Sequence, residues 1–433
     1  MDRGRVARRL GTVVSMLALA PVGTAAAQQA PAARAARAAP AAPGRPCDGD
    51  TITAIEIRSS PPAFRNPADR WRPVTDVMDF HHTVTRARVV TAYLQFVVGQ
   101  RCTERNRSES ERLLRLQPYL AAASVRTVPD GPGRVRVIVE TVDEVPVIAG
   151  ARMRGLLPVR LTVGSENVSG QALTLAVSAE RGLGYRFGMG VRVAQYGAFG
   201  RPYTIAASAQ RYPLGGEWSL AVAHPFLTDL ERNAFHVGAQ ESRVYYPVVR
   251  PVGKNLALSV RRSTYDVGAV TRIGEGGVVG VAGAALIGED IRTAPGPVIV
   301  TDSGLVNVPA DSALGGRFPA FRVMRLMAIG GLRALRFETV TGFDALTAAQ
   351  DVGTGVQFAA MAGPSMFSST LKSDVFVSGD VYAGFGSPRS FLMLHYTAEG
   401  RADRASHRWD GFVGNGRLAW YARPVAAHTQ IVS

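Results

Sequence analysis

No stretch of this sequence is long and apolar enough to cross a membrane as a helix, which excludes a helical membrane bundle. Cysteine is nearly absent, two in 433 residues, which excludes a disulfide-dense scaffold. The motifs of common catalysis are missing: there is no G-x-S-x-G elbow, no H-E-x-x-H helix and no G-x-x-x-x-G-K-[ST] loop. No catalytic or cofactor-binding residue is therefore assigned, and the chain is not expected to be an enzyme. A Ser-His-Asp barrel hydrolase would need a nucleophile context that the sequence does not offer. Histidine is scarce, with seven residues. His81 and His82 are adjacent, but no nearby cysteine or third histidine completes a metal set, so the pair reads as solvated and no metal is expected. His224, His236 and His395 fall in strand-like stretches and read as interfacial or lumenal. Gly274, Gly276 and Gly277 belong to a turn, because no helix follows to lend its N-terminus to a phosphate.

A concentrated basic block is also lacking. The formal charge is +15, yet residues 1–46 hold seven arginines and one aspartate, and the remaining +9 is dispersed. Dispersed charge suits a solvated face or contacts to anionic lipid headgroups, and no nucleic acid is expected as a partner. The N-terminus carries Arg3, Arg5, Arg8 and Arg9, then an interrupted apolar core from Leu10 to Val22, then Thr24-Ala25-Ala26-Ala27-Gln28. That order is a secretory signal peptide over residues 1–27, the alternative being an uncleaved anchor whose core is too short to span. Residues 28–46 mix Ala, Pro and Arg and cannot bury a core, so they read as a disordered leader.

Short strand-like stretches rich in glycine occupy the chain from Pro158 onward. In Tyr185 to Val193, the side chains Tyr185, Phe187, Met189, Val191 and Val193 face one way, while Arg186 and Arg192 face the other. Leu256, Leu258 and Val260 alternate likewise. Aromatics such as Tyr196, Tyr203, Tyr212, Tyr245 and Tyr265 sit at segment ends, where an interfacial girdle belongs. An exported chain with this pattern is expected to form a closed transmembrane antiparallel β-barrel over residues 158–433, apolar toward lipid and polar toward a lumen. A soluble β-sandwich or propeller is the competing architecture, though no fixed-length repeat supports a propeller.

Residues 47–147 read as a small α+β unit. Ile52 to Arg58 alternates as a strand, with Ile55 and Ile57 on one face. Thr83 to Val98 has helical spacing and stops at Gly99. Ser108 and Glu111 form an S-x-x-E capping box for a second helix, with Leu113, Leu114, Leu116 and Leu120 as its buried stripe. Val125 to Val128, the turn Asp130-Gly131-Pro132-Gly133 and Val135 to Val142 then form a hairpin that buries Val135, Val137 and Val139. The order is β-α-α-β-β. Cys47 and Cys102 both fall in this unit and, in an oxidising compartment, read as one disulfide tying the segment before the first strand to the loop after the first helix. A metal or reactive pair would need C-x-x-C spacing.

The phrases "TVTRARVVTAYLQFVVGQ" and "SESERLLRLQPYLAAASVRTVPDGPGRVRVIVETVDE" resemble a single POTRA domain, the periplasmic polypeptide-binding module attached to outer-membrane assembly and translocation barrels. "LTVGSENVSGQALTLAVS" is similar to the opening of BamA-type and TamA-type barrels, with Gly164, Asn167 and Gly170 at the positions of a Gly-x-x-Asn-x-x-Gly turn, residue types that tolerate positive φ. "AVAHPFLTDLERNAFHVG" matches a further phrase of that superfamily. The linker Val142-Asp143-Glu144-Val145-Pro146 departs from it. The resemblance implies an outer-membrane location with the POTRA-like domain in the periplasm, and assembly or translocation of unfolded or exported polypeptide clients. Clients would be captured by strand addition at the edge formed by Val125, Arg126, Thr127 and Val128. It also implies a weak seam beginning near Val159, Leu161 and Val163, contacts with outer-membrane lipid and lipopolysaccharide, and periplasmic or lipoprotein partners. Two other roles stay open: a passive channel, and a structural surface-antigen barrel blocked by the loop from Ile291 to Pro319.

The resemblance implies sixteen strands, whereas the segments counted here come to about a dozen. The superfamily's Arg-Gly-aromatic phrase is approached only by Thr341-Gly342-Phe343 and Asp410-Gly411-Phe412, and the chain ends in His428-Thr429-Gln430-Ile431-Val432-Ser433. The expectation is a barrel lacking its last strands, the alternative a complete barrel of about twelve.

Overall fold

The computed structural model describes residues 47–62, 83–248, 256–274, 277–309, 320–341, 349–369, 373–404, 406–425 and 428–432. The signal region, the leader, His81, His82 and Phe343 lie outside the described residues, as do residues 310–319 of the long loop.

The α+β unit consists of β1 (Asp48–Ser60), α1 (Ala87–Thr91), β2 (Arg101–Thr103), α2 (Glu104–Arg115), β3 (Leu120–Pro129) and β4 (Arg134–Asp143). Its sheet order is β2-β1-β4-β3, with β1 and β4 parallel and the other pairs antiparallel. Val135, Val137 and Val139 are fully buried in a core with Ile52, Val90, Leu113 and Leu114. The first helix is much shorter than the spacing from Thr83 to Val98 predicts. Its start has no side-chain cap, Val89, Val90 and Thr91 are β-branched, and the chain turns away after Thr91 so that Tyr93 and Phe96 reach the core. The second helix starts at Glu104, four residues before the capping box read from Ser108. Thr103 is the N-cap, its hydroxyl accepting from the Asn106 amide at 3.2 Å. Pairing of β2 with β1 and the disulfide joining Cys47 to Cys102 fix the chain at this point, so the helix begins directly after β2. Leu116 is 46 % exposed rather than part of the buried stripe.

The barrel strands are β5 (Val147–Arg154), β6 (Leu157–Ser165), β7 (Leu173–Leu183), β8 (Arg186–Ala198), β9 (Tyr203–Arg211), β10 (Gly216–His224), β11 (Asn233–Val248), β12 (Leu256–Ile273) and β13 (Val279–Thr293). After the short hairpin β14 (Val298–Thr301) and β15 (Gly304–Asn307) come β16 (Phe321–Thr341), β17 (Ala349–Ser368), β18 (Asp374–Ser387), β19 (Ser390–Asp403), β20 (Trp409–Val425) and β21 (His428–Val432). The order closes on itself. Setting the side hairpin apart, fifteen strands make the circuit among the described residues, more than the dozen read from the sequence. Each described pairing from β5 round to β21 is antiparallel, with β13 pairing directly to β16. An odd circuit of alternating strands leaves β5 and β21 pointing the same way where they meet.

The two faces of the wall are told apart by contacts that cross the interior. Arg401 on β19 reaches Glu289 on β13 at 3.2 Å, and Arg325 on β16 reaches Asp374 on β18 at 2.7 Å, joining strands that are not neighbours. Residues of the opposite parity, among them Phe187, Met189, Val267, Leu332, Phe358 and Leu418, are exposed on the outside and form the lipid-facing surface. The structure is thus a transmembrane antiparallel β-barrel preceded by a small α+β domain.

The interior is not uniformly polar, contrary to the simple alternation. Phe226, Val281, Ile287, Met327, Ile329, Met361 and Phe376 form a buried apolar cluster inside it. On the end away from the α+β domain, the β14–β15 hairpin pairs with β12. A Cβ on Gly184, in the turn between β7 and β8, would lie 2.7 Å from the Asp302 carbonyl, so the hairpin tip rests against that distant turn.

Glu289 serves both Arg262, at 2.8 Å, and Arg401. Glu289→Ala strands two lumenal guanidinium groups and is expected to cost about 3–5 kcal/mol of barrel stability, read as a lower urea midpoint for loss of the heat-modifiable form.

Candidate functional site

Helix α2 connects the edge of the small sheet to the mouth of the barrel. Arg107, Glu111 and Arg115 recur at four-residue spacing and so share one helical face. Strand β3 is an edge of the four-stranded sheet, and at Val125 its outward backbone groups are satisfied by that face instead of by another strand. The Val125 amide donates to Glu111 Oε2 at 3.0 Å, and Arg107 Nη1 donates to the Val125 carbonyl at 2.5 Å. The Val125 side chain is buried in the core, and Arg126 on the other face pairs with Glu140 at 3.0 Å.

The same helix is fastened to the barrel. Arg115 bridges Glu111 to Asp351 on β17, its Nη2 lying 2.7 Å from Asp351 Oδ1. Arg112 donates to the Leu227 carbonyl at 2.7 Å and stacks 4.2 Å above the Phe337 ring. Thr228 donates to Glu109 at 2.6 Å. The burial of these groups makes each bond count for more than it would in water. Near α1, the Asn167 amide donates to Thr85 at 2.7 Å, the Gly170 carbonyl accepts from the Arg86 amide at 2.9 Å, and Arg88 donates to Gln171 at 2.7 Å. Tyr119 and Tyr196 lie with ring centroids 6.1 Å apart. The contacts fall on the β6–β7, β8–β9, β10–β11 and β16–β17 ends of the wall, all at one mouth, which the domain overlies.

Electrostatics at this junction follow from burial. Burial pushes the Glu109 carboxyl up, but its bonds to Arg112 and Thr228 and the charge of Arg333 outweigh burial and hold it below its ordinary value. Glu231, in the β10–β11 turn, is pushed the other way: burial outweighs its bonds to the Leu227 and Thr228 backbone and the pull of Arg112 and Arg333, raising it from 4.5 to about 7.

The residues singled out by sequence divide into several groups. Cys47 and Cys102 are bonded to each other. Val125, Arg126, Thr127 and Val128 lie on the edge strand β3. Val159, Leu161 and Val163 lie on β6, which is hydrogen-bonded on both sides, so they do not border the junction. Among the described residues the barrel wall begins one strand earlier, at Val147, and β5 and β21 are its first and last strands. Sequence reading missed β5 because nearly all its side chains are exposed, leaving no buried face to detect. Of the three turn positions, only Gly170 has positive φ, at 65°. Gly164 lies within β6, where a Cβ would meet the Leu175 carbonyl at 2.3 Å, and Asn167 is held by hydrogen bonds to Thr85 and Ala172. His236 pairs with Asp266, and His395 with Asp380 at 2.8 Å, both in the lumen. Arg107, Glu111, Arg115 and Asp351 were not foreseen as a unit, although the four-residue spacing of the first three was visible.

These features define a barrel whose mouth is covered by a small docked α+β domain. No known family profile matches the chain, and no curated protein matches it. Among solved structures it is similar to BamA from Haemophilus ducreyi lacking POTRA domains 1-3, with 9 % identity over 83 % of this chain and 57 % of that one and a TM-score of 0.35. It is also similar to CdiB from Escherichia coli, with 10 % identity over 87 % of this chain and 62 % of that one and a TM-score of 0.46. For CdiB from Acinetobacter baumannii the figures are 10 %, 86 %, 74 % and 0.25. The chain thus spans less than two thirds of the first two, and the likeness is one of fold.

A carboxylic acid raised in the folded state favours its neutral form there, so the stability it contributes is full below its ordinary value of 4.5 and is lost as pH rises through about 7. The thermal midpoint of the full chain, followed by circular dichroism, is expected to fall by roughly 2–4 °C as pH rises through that window. Glu231→Gln is expected to remove most of that slope.

Proposed function

We propose that the protein is an outer-membrane barrel of the BamA/TamA-type assembly and translocation class, with a single POTRA-like domain in the periplasm. It handles unfolded or exported polypeptide clients without catalysis. The observation that carries this reading is β3, an edge strand whose backbone groups at Val125 are held by side chains alone. An extended client can replace those side chains with main-chain hydrogen bonds, which give affinity with little sequence selectivity. The junction of β5 and β21 supports a second role. Strands meeting in parallel pair slightly less stably than antiparallel ones, so this is where the wall exchanges partners at least cost. Periplasmic lipoproteins are further candidate partners for the exposed face of the domain.

A structural barrel without transport is the second reading, favoured by the apolar cluster that fills part of the lumen. That cluster argues against a passive open channel.

Photocrosslinkers placed at Arg126 and at Arg101, on the opposite edge strand β2, separate the two readings. Client transport predicts peptide adducts at Arg126 and few at Arg101. Arg107→Ala, which frees the Val125 carbonyl, is expected to raise the Arg126 yield several-fold, since one charge-assisted hydrogen bond no longer competes. No adducts at either edge in wild type and variant would leave the structural barrel as the reading.

A further inference from the structure

Four arginines lie in one row across the outer wall, at the end of the barrel away from the α+β domain. The registers are Arg211 opposite Gly216, Gly216 opposite Arg243, Arg243 opposite Arg261, and Arg261 opposite Arg292, across β9, β10, β11, β12 and β13. Paired residues project from the same side of a sheet. That side is the outside, because Arg211 is opposite Met189, which is 64 % exposed, and Arg261 shares its parity with Tyr265 and Val267, which are 53 % and 48 % exposed. With strands about 4.8 Å apart, the row from Arg211 to Arg292 runs roughly 19 Å.

Like charges directly opposite on neighbouring strands destabilise a sheet, and here Arg243, Arg261 and Arg292 are consecutive. Their neutralisation within the protein is partial. Glu241 takes Arg261 at 2.5 Å, and Asp290 is shared between Arg292 at 2.8 Å and Arg322 at 3.0 Å. Among the described residues Arg211 and Arg243 have no ion pair. Five arginines therefore face outward with two carboxylates among them. Beside the row, Met189, Val191, Ala209 and Trp218 line a groove of about 670 Å³ that Arg211 and Arg243 border.

We propose that this row and groove form a binding site for a phosphorylated glycolipid of the outer leaflet. The phosphates lie along Arg211, Arg243 and Arg261, and an acyl chain lies against Trp218 and Met189. A guanidinium fork matches phosphate oxygens, and the exposed apolar wall below the row selects a lipid over a free anion. The site rests on the outer-membrane reading, which places this end of the barrel in the outer leaflet. Gly216 fits the scheme: lacking a side chain, it leaves a gap between Arg211 and Arg243 that a phosphate can enter.

The test uses the full chain in detergent, with diphosphorylated lipid A, the same lipid dephosphorylated, and inorganic phosphate as probes, bound complexes being counted by native mass spectrometry. Wild type is expected to bind the diphosphorylated lipid at least tenfold more tightly than the dephosphorylated one, with no displacement by millimolar phosphate. The double variant Arg243→Gln, Arg261→Gln is expected to lose at least tenfold. Arg336→Gln, which removes an exposed outer arginine near the opposite end, is expected to bind as wild type. Equal binding of the two lipids, or an unchanged double variant that keeps its heat-modifiable form, overturns the site. Displacement by phosphate overturns the lipid assignment in favour of a simple anion site. The lipid comparison on wild type stands even where the double variant does not fold. Membrane fractionation separately decides the outer-membrane reading, since a chain found elsewhere defeats that reading whatever its affinity for lipid A.

Discussion

Backbone polar groups have no water to bond with inside a lipid bilayer, and the barrel depends on meeting that constraint strand by strand. From β5 to β21 each interior strand is paired on both sides, so desolvation is compensated along almost the whole wall. What remains is the place where the first strand meets the last. Because the circuit is odd among the described residues, the strands there run in the same direction, and the regular antiparallel ladder does not continue across the junction. The wall is therefore uneven in strength by construction, whatever the side chains do.

Closure also decides what fills the interior. Alternation puts every second side chain inside, but it does not make those side chains polar. Where β12, β13, β16, β17 and β18 face one another, Met327, Ile329, Met361 and Phe376 pack together. Charged lumenal residues sit next to this cluster, several of them paired: Glu289 holds two arginines and Asp374 holds Arg325. Unpaired, each would carry a penalty of several kcal/mol. Apolar packing and paired charge thus occupy the lumen beside these strands.

The outward face of strands such as β8 and the three long strands of the small domain were legible in the sequence, because period-2 alternation and turn residues report directly on local geometry. Leu256, Leu258 and Val260, however, share the parity of Arg262 and turn into the lumen, and the three-residue β2 between the two helices was not foreseen. The misreadings have physical causes. The helical spacing from Thr83 to Val98 was real, but β-branched residues and the need to bury Tyr93 and Phe96 cut the helix to Ala87–Thr91. The start read from Ser108 gave way to Thr103, which caps α2 four residues earlier, directly after the disulfide-tied strand β2. Gly164 and Asn167 looked like turn formers, yet one permits close strand approach and the other docks the domain, uses that only a tertiary neighbour reveals. The row of arginines was invisible as well. Arg211, Arg243, Arg261 and Arg292 are separated by about thirty residues or fewer along the chain, and only the strand registers bring them level.

Helix α2 is where the two halves of the molecule share bonds. Glu111 accepts from the Val125 amide at the sheet edge with one oxygen and pairs with Arg115 through the other, and Arg115 holds Asp351 on the barrel wall. Under the proposed strand addition, a client arriving at β3 would remove the first of these bonds and leave Glu111 with Arg107 and Arg115 alone. A carboxylate that has lost a partly buried donor gains by moving toward water, a movement that its bonds to Arg107 and Arg115 oppose. Under that proposal, occupancy of the edge and attachment at the mouth draw on the same side chain. Their linkage follows from the hydrogen-bonding capacity of one carboxylate and requires no rearrangement of the small domain's core.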